Sequence, residues 1–214
     1  MKSRPQSRVE EIVNSISHGA GVLVAIACLV LLLVFAGKNG NVWQIVSFSI
    51  FGSSMIMLYL ASTLYHGVLN IRLKLRLNRW DHSMIYILIA GTYTPVCLSI
   101  LQGTFGWIIF GLIWAMAVSG VIYKLFFYRG GKIERRISAF LYIAMGWVII
   151  IAIVPLLKHA LPLSLWFLLA GGLSYSLGVI FYLWTKLKFS HGIFHLFIMA
   201  GSVCHFFAFL VTVV

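Results

Sequence analysis

The chain has 214 residues, of which 62% are hydrophobic and only 9% are charged. Because an ordinary soluble domain carries about 25% charged residues, this composition excludes a soluble globular protein and indicates one that lies in lipid. The formal net charge is +12. The basic residues fall in short connectors between apolar runs, so anionic lipid headgroups, and not nucleic acid, are the expected partner.

Seven apolar runs are long enough to cross the hydrocarbon as helices, which needs about 20 residues each. They predict an all-α integral membrane protein, a seven-transmembrane-helix bundle in which residues 1–214 form a single domain. Residues 1–16 are expected to be a cytoplasmic N-terminal segment, and the first run, which lacks a clear cleavage site, is expected to remain as a helix. The predicted helices are 17–36, 42–65, 82–101, 107–126, 137–157, 163–185 and 192–213.

The distribution of Lys and Arg predicts the orientation. Only Lys38 and Lys158 fall on one side of the membrane, and the other fourteen fall on the opposite side. By the positive-inside rule, the N-terminus is cytoplasmic and the C-terminus extracytoplasmic. The fourteen are Lys2, Arg4, Arg8, Arg72, Lys74, Arg76, Arg79, Lys124, Arg129, Lys132, Arg135, Arg136, Lys186 and Lys188.

Polar residues cluster at the same predicted depth, near the cytoplasmic ends of three helices. Ser62 and His66 end the second helix, Asp81 begins the third, and His191 and His195 begin the seventh. Ionisable groups inside a membrane are costly, so such a cluster indicates a functional site.

The pair His191 and His195 has the four-residue spacing that places two imidazoles on one face of a helix. With His66 as a third ligand, the set matches catalytic zinc, which has three protein ligands and an open position. Asp81 could then accept a proton from water, and Ser62 could hydrogen-bond to an oxyanion. The alternative is a set of interfacial histidines that bind headgroups or neighbouring helices.

The remaining histidines are not expected to bind this metal. His205 lies about 15 Å beyond His195 along a helix, which favours a buried hydrogen-bonding role. His82 points away from Asp81, and His159 is interpreted as a solvated loop residue on the outer side. His18 could contact the metal ligands or lie at the membrane interface, and the sequence favours the interface.

Six segments, which together span nearly the whole chain, are characteristic of one known family. They are Glu10–Gly19 (EEIVNSISHG), Ala61–His66 (ASTLYH), Asp81–Pro95 (DHSMIYILIAGTYTP), Tyr142–Trp147 (YIAMGW), Tyr175–Tyr182 (YSLGVIFY) and His191–Phe206 (HGIFHLFIMAGSVCHF).

Through these segments the chain resembles the hemolysin III family, the bacterial branch of the superfamily of progestin and adiponectin receptors and alkaline ceramidases. The resemblance implies a multi-pass protein of the bacterial plasma membrane with zinc held by three histidines, which map to His66, His191 and His195. The superfamily's aspartate and serine map to Asp81 and Ser62.

Three functions are consistent with the sequence. The first is a zinc-dependent hydrolase that acts on a lipid amide or ester and so affects membrane lipid homeostasis. The second is a cytolytic, pore-forming hemolysin, and the third is a lipid-sensing receptor in which zinc is structural. Because the polar groups cluster at one membrane side, the sequence favours the hydrolase over a single-chain channel.

Overall fold

The computed structural model describes residues 6–128 and 130–214 and contains no β-strand in these ranges. Three of the cations that set the predicted orientation, Lys2, Arg4 and Arg129, lie outside the described residues, as do residues 1–5 of the predicted N-terminal segment. Seven helical spans in the described ranges are long and apolar enough to cross a membrane, which confirms the seven-helix membrane bundle.

The spans are built from eight α-helices and three segments with a different helical hydrogen-bond pattern. The α-helices are α1 (Arg8–Asn39), α2 (Val42–Gly67), α3 (Ile71–Pro95), α4 (Gly103–Ile122), α5 (Lys132–Gly146), α6 (Ile153–His159), α7 (Pro162–Leu183) and α8 (Ser190–Leu210). Two π-helical segments, Val96–Leu101 and Tyr123–Phe127, continue α3 and α4, and the 3₁₀ segment Trp147–Ala152 joins α5 to α6. The end of the bundle that contains Arg8, Arg72, Lys132 and Lys186, with the basic residues next to them, is called the basic end below.

Helix α1 begins at Arg8, nine residues before its predicted start at residue 17. Ser7 and Glu10 form a capping box, in which each side chain accepts a hydrogen bond from the other residue's backbone N–H. Such a box satisfies two of the free N–H groups at a helix start. The apolar run predicted only the membrane-spanning part of α1. The helix has about two further turns before it, at the basic end.

Helix α3 also begins earlier than predicted, because Asn70 caps it by accepting hydrogen bonds from the backbone of Arg72 and Leu73. With its π-helical continuation the span has 31 residues. At 1.5 Å per residue it exceeds the hydrocarbon thickness of about 30 Å by several turns. The change to a π-helix follows Pro95 directly, as expected where a proline removes a backbone donor.

A buried hydroxyl network fixes the relative register of α2 and α8. Tyr59 donates to Ser202 Oγ at 2.7 Å, and the hydroxyl of Tyr175 on α7 lies 2.9 Å from the same oxygen. His66 lies seven residues after Tyr59, and His195 lies seven residues before Ser202. Because α2 runs towards the basic end and α8 runs away from it, both histidines lie about 10.5 Å from the network at the same depth.

Close contact between α3 and α4 depends on Gly120. A Cβ at this position would lie 2.6 Å from the ring of Tyr86, which is buried and packs against Tyr142. We therefore expect Gly120→Ala to lower the free energy of unfolding by about 1–3 kcal/mol. Gly111→Ala, on the same helix, is the matched control and should change this free energy little, because a Cβ there would meet no atom of the described residues within 4 Å. Equal thermal unfolding temperatures of the two variants in one detergent would contradict this packing.

Candidate metal centre

Three imidazoles from two helices meet at the basic end of the bundle. The ring centroids of His191 and His195 on α8 are 4.7 Å apart, and the ring of His66 on α2 lies 5.0 Å and 5.2 Å from them. One nitrogen from each ring lies within 4.8 Å of the other two. The structure thus brings together the three histidines predicted from spacing and depth.

The hydrogen bonding of His66 selects the nitrogen that is available to a metal. Its Nδ1 lies 2.7 Å from Oε2 of Glu11 on α1. Because a carboxylate only accepts hydrogen bonds, Nδ1 carries a proton, and in the neutral form of the imidazole Nε2 is the nitrogen with the lone pair. Nε2 is buried and has no hydrogen-bond partner among the described residues.

The same reasoning applies to His195, whose Nδ1 lies 3.1 Å from Ser17 Oγ. The Ser17 hydroxyl donates its one hydrogen to the backbone oxygen of Asn14 at 2.9 Å, so Oγ accepts from His195 Nδ1. The ring therefore presents Nε2 as an acceptor, and two of the three imidazoles have the tautomer that suits a metal bound through Nε2.

The three imidazoles fit a zinc ion, the metal that the resemblance to the hemolysin III family implies. Tetrahedral zinc takes nitrogen ligands at 2.0–2.1 Å, which places those nitrogens about 3.4 Å apart. Side-chain rotations that shorten the distances between the nitrogens of the three rings by roughly an ångström would produce this geometry. A buried imidazole nitrogen without a partner is unfavourable in lipid, and a cation at this position would satisfy His66.

Asp81 and Ser62 line one cavity together with His191 and His195. Both side chains are buried. The Ser62 hydroxyl faces the Asp81 carboxylate, but the pair does not reach hydrogen-bond geometry, and Ser62 Oγ has no other partner in the described ranges. The structure therefore leaves a hydroxyl and a carboxylate available to a molecule that enters the cavity.

The cavity has a volume of about 450 Å³ and runs from the histidines towards the opposite end of the bundle. Near the histidines its wall is polar. Farther along, aliphatic and aromatic side chains of α3, α5, α6, α7 and α8 make most of the wall. It reaches Leu157 and Trp166, whose side chains are exposed on the outer surface of the helices.

The interpretation of His18 as an interfacial residue was wrong. Its side chain is buried, and its ring stacks on His195 with a centroid distance of 3.5 Å. The predictions for two other histidines are confirmed. His82 bonds to the backbone oxygen of Asn78 through Nδ1 and is outside the metal-binding group, and His205 is buried with Nε2 3.3 Å from the backbone oxygen of Leu168.

Sequence reasoning missed Glu11 and Ser17, which contact two of the three histidines. Both lie in the part of α1 that precedes or only begins the apolar run, so hydropathy assigned no role to them. The signal that could have found them is the Ser7-to-Glu10 capping box, which starts the helix early enough to bring Glu11 and Ser17 near the site.

Comparison with known proteins identifies relatives along almost the whole chain. The model of the family described as Haemolysin-III related matches residues 6–206. "Hemolysin-3 homolog" of Bacillus subtilis (strain 168) is 46% identical over 200 residues, which cover 92% of each chain. "Hemolysin-3" of Bacillus cereus is 45% identical over 198 residues, which cover 92% of this chain and 89% of the relative.

A more distant relative is human "Monocyte to macrophage differentiation factor", 28% identical over 180 residues, which cover 79% of this chain and 71% of the relative. No solved structure matches.

The geometry of the three imidazoles predicts how metal content responds to substitution. Purified wild-type protein should hold about one zinc ion per chain, and the double variant His191→Ala/His195→Ala should hold none, because only one of the three ligands is left. Elemental analysis of detergent-purified protein measures both.

His82→Gln is the matched control, because His82 is also buried at the basic end but lies outside the group. It should keep the wild-type metal content. Equal zinc in the wild type and the double variant would show that the metal is bound elsewhere.

Proposed function

The chain belongs to the Haemolysin-III related family, and on that premise we propose that it is a membrane-embedded zinc-dependent hydrolase that acts on a lipid amide or ester. The observation that supports this most is the unpartnered Nε2 of His66 beside His191 and His195, at the polar end of a long apolar cavity. Family membership makes it a multi-pass membrane protein, in bacteria of the cell membrane.

In this proposal His66, His191 and His195 hold the zinc ion through one nitrogen each. Zinc, when bound, supplies a Lewis acid that polarises the lipid carbonyl and makes water a better nucleophile at neutral pH. The protein contributes a fixed orientation for the three imidazoles and a position next to the cavity that excludes bulk water.

Asp81 and Ser62 would act on the reacting groups directly. The Asp81 carboxylate accepts a proton from the attacking water and then returns it to the leaving amine or alcohol. The Ser62 hydroxyl donates a hydrogen bond to the oxygen that gains negative charge at the carbonyl. Their position on the same cavity wall as His191 and His195 supports these roles.

The shape of the cavity supports a lipid as the substrate. The carboxylate of Asp81 and the imidazoles of His191 and His195 line one end of it, and the remainder of the wall is mostly apolar, with Thr92, Ser176 and His205 among the exceptions. A molecule that fits both parts has a polar, cleavable group attached to a long hydrocarbon chain. The exposed side chains of Leu157 and Trp166 lie where the cavity meets the surrounding lipid, from which such a chain could enter.

Two other functions compete with hydrolysis. The names of the two Bacillus relatives support membrane lysis. A conducting pore, however, needs polar side chains along its full length, and the cavity wall beyond the histidines is mostly apolar. A lipid-sensing receptor with structural zinc would use the same cavity without turnover.

Anionic lipid headgroups are the proposed partners at the basic end, which we take as the cytoplasmic side. Exposed cations occur there on α1, α3 and α5 and on the segment between α7 and α8. They are attracted to the negative surface potential of that leaflet. These residues are Arg8, Arg72, Arg76, Arg79, Lys132, Arg136, Lys186 and Lys188.

Hydrolysis predicts release of fatty acid from an acyl-lipid by purified protein, with loss of the activity after chelation of the metal. Asp81→Asn should keep zinc but lower turnover by about 10²–10⁴-fold, because it removes the proton acceptor. Fatty acid release from ceramide and from phospholipid in mixed micelles measures this.

Ser54→Ala is a matched control for Ser62→Ala, because Ser54 lies on the same helix, is buried, and in the described part of the chain donates its hydrogen bond to the backbone oxygen of Phe51 on its own helix. Ser62→Ala should lower turnover and Ser54→Ala should not. Zinc-loaded protein that binds these lipids without turnover would support the receptor. Dye leakage from liposomes that persists in His66→Ala would support lysis.

A further inference from the structure

We propose that the first three turns of α1 are a positioning device for the metal centre, in which Glu11 orients His66 and Ser17 orients His195. This inference rests on the zinc site of the proposed function, but it concerns the affinity of the metal and not the reaction. It assigns a role to residues on a helix that contributes no metal ligand.

The contact between Glu11 and His66 has the geometry of a strong, charge-assisted hydrogen bond. The distance from Nδ1 to Oε2 is 2.7 Å, and the side chain of His66 is fully buried. A carboxylate that accepts from one imidazole nitrogen fixes the ring orientation and makes the other nitrogen a better metal ligand. The buried, unpartnered Nε2 is the nitrogen that this bond leaves available.

Lys74 on α3 holds Glu11 in position. Its Nζ lies 2.9 Å from the same Oε2 that accepts from His66. Lys74 also donates to the backbone oxygen of Tyr65 at 3.2 Å and lies 5.0 Å from the centre of the Tyr65 ring. The carboxylate is thus fixed between α2 and α3 before any metal binds, so little entropy is lost when His66 becomes a ligand.

Ser17 acts on His195 in the same way but without a charge. Its hydroxyl hydrogen is already donated to the oxygen of Asn14, so the oxygen can only accept from His195. The ring is also stacked against His18 from the same helix. Rotation of the His195 ring would break the Ser17 bond, so its orientation is set by α1.

Other bonds made by α1 connect it to the bundle without touching an imidazole. Ser15 Oγ donates to the backbone oxygen of Thr63 on α2 at 3.0 Å, and Glu10 accepts from the backbone N–H of Phe189 at 2.8 Å. These bonds hold helices together, whereas the bonds of Glu11 and Ser17 end on the rings of proposed ligands. The difference allows positioning to be separated from general packing.

The test is the dissociation constant of zinc, measured by chelator competition on full-length protein in detergent. Loss of an orienting partner typically weakens metal binding by 10–100-fold. We expect Glu11→Ala to raise the zinc dissociation constant within this range, and Ser17→Ala to raise it by about tenfold. Cobalt-substituted protein should show an altered visible absorption spectrum in both variants, because the ligand geometry changes.

Glu11→Gln keeps an oxygen that accepts from Nδ1, so it should restore part of the affinity lost in Glu11→Ala. This near-isosteric change also keeps the test valid if the alanine variant does not fold. Ser15→Ala, two residues from Ser17 and bonded to α2, should bind zinc as the wild type does.

Wild-type affinity in Glu11→Ala, Glu11→Gln and Ser17→Ala would overturn the inference while leaving the zinc site in place. An equal loss of zinc affinity in Ser15→Ala and Ser17→Ala would also contradict the inference, because α1 would then affect the metal centre only through helix packing. Wild-type protein that binds no zinc would overturn the inference and the proposed zinc chemistry together.

Discussion

The hydrogen bond between Glu11 and His66 is the interaction on which the arrangement of the site depends. In a bilayer a polar group without a partner is costly, so buried polar residues must find one another or a ligand. Glu11 satisfies one nitrogen of His66, and the other is left facing His191 and His195. The network of Tyr59, Ser202 and Tyr175, two helical turns away, sets the helix register that keeps these imidazoles at one depth.

The site and the cavity together define what chemistry the bundle favours. A group of three imidazoles, a carboxylate and a hydroxyl lies at the basic end, and a mostly apolar space extends from it through the interior. A soluble substrate would gain little from such a wall, whereas the hydrocarbon chain of a lipid would lose nothing by leaving the bilayer for it. The two features explain why a lipid carbonyl is the proposed target and why a water-filled pore is disfavoured.

Much of this could be predicted from the sequence, because a membrane imposes strict length and charge rules. The seven spans follow from apolar runs, and His66, His191 and His195 follow from helical spacing and depth. The contribution of α1 was missed, because hydropathy detects the part of a helix that lies in lipid and not its polar first turns. The cavity is lined in part by Trp147 and Ile149 of the 3₁₀ segment Trp147–Ala152, and no periodicity of the sequence encodes this break in the helix.

Extended X-ray absorption fine structure of the zinc-loaded protein tests the central claim, that three histidines share one zinc ion, most directly. The account predicts about four nitrogen or oxygen neighbours at 2.0–2.1 Å, with the multiple-scattering signature of imidazole rings that is lost in His191→Ala/His195→Ala. A sulfur neighbour at about 2.3 Å, from one of the three cysteines, or a spectrum without imidazole scattering would contradict it.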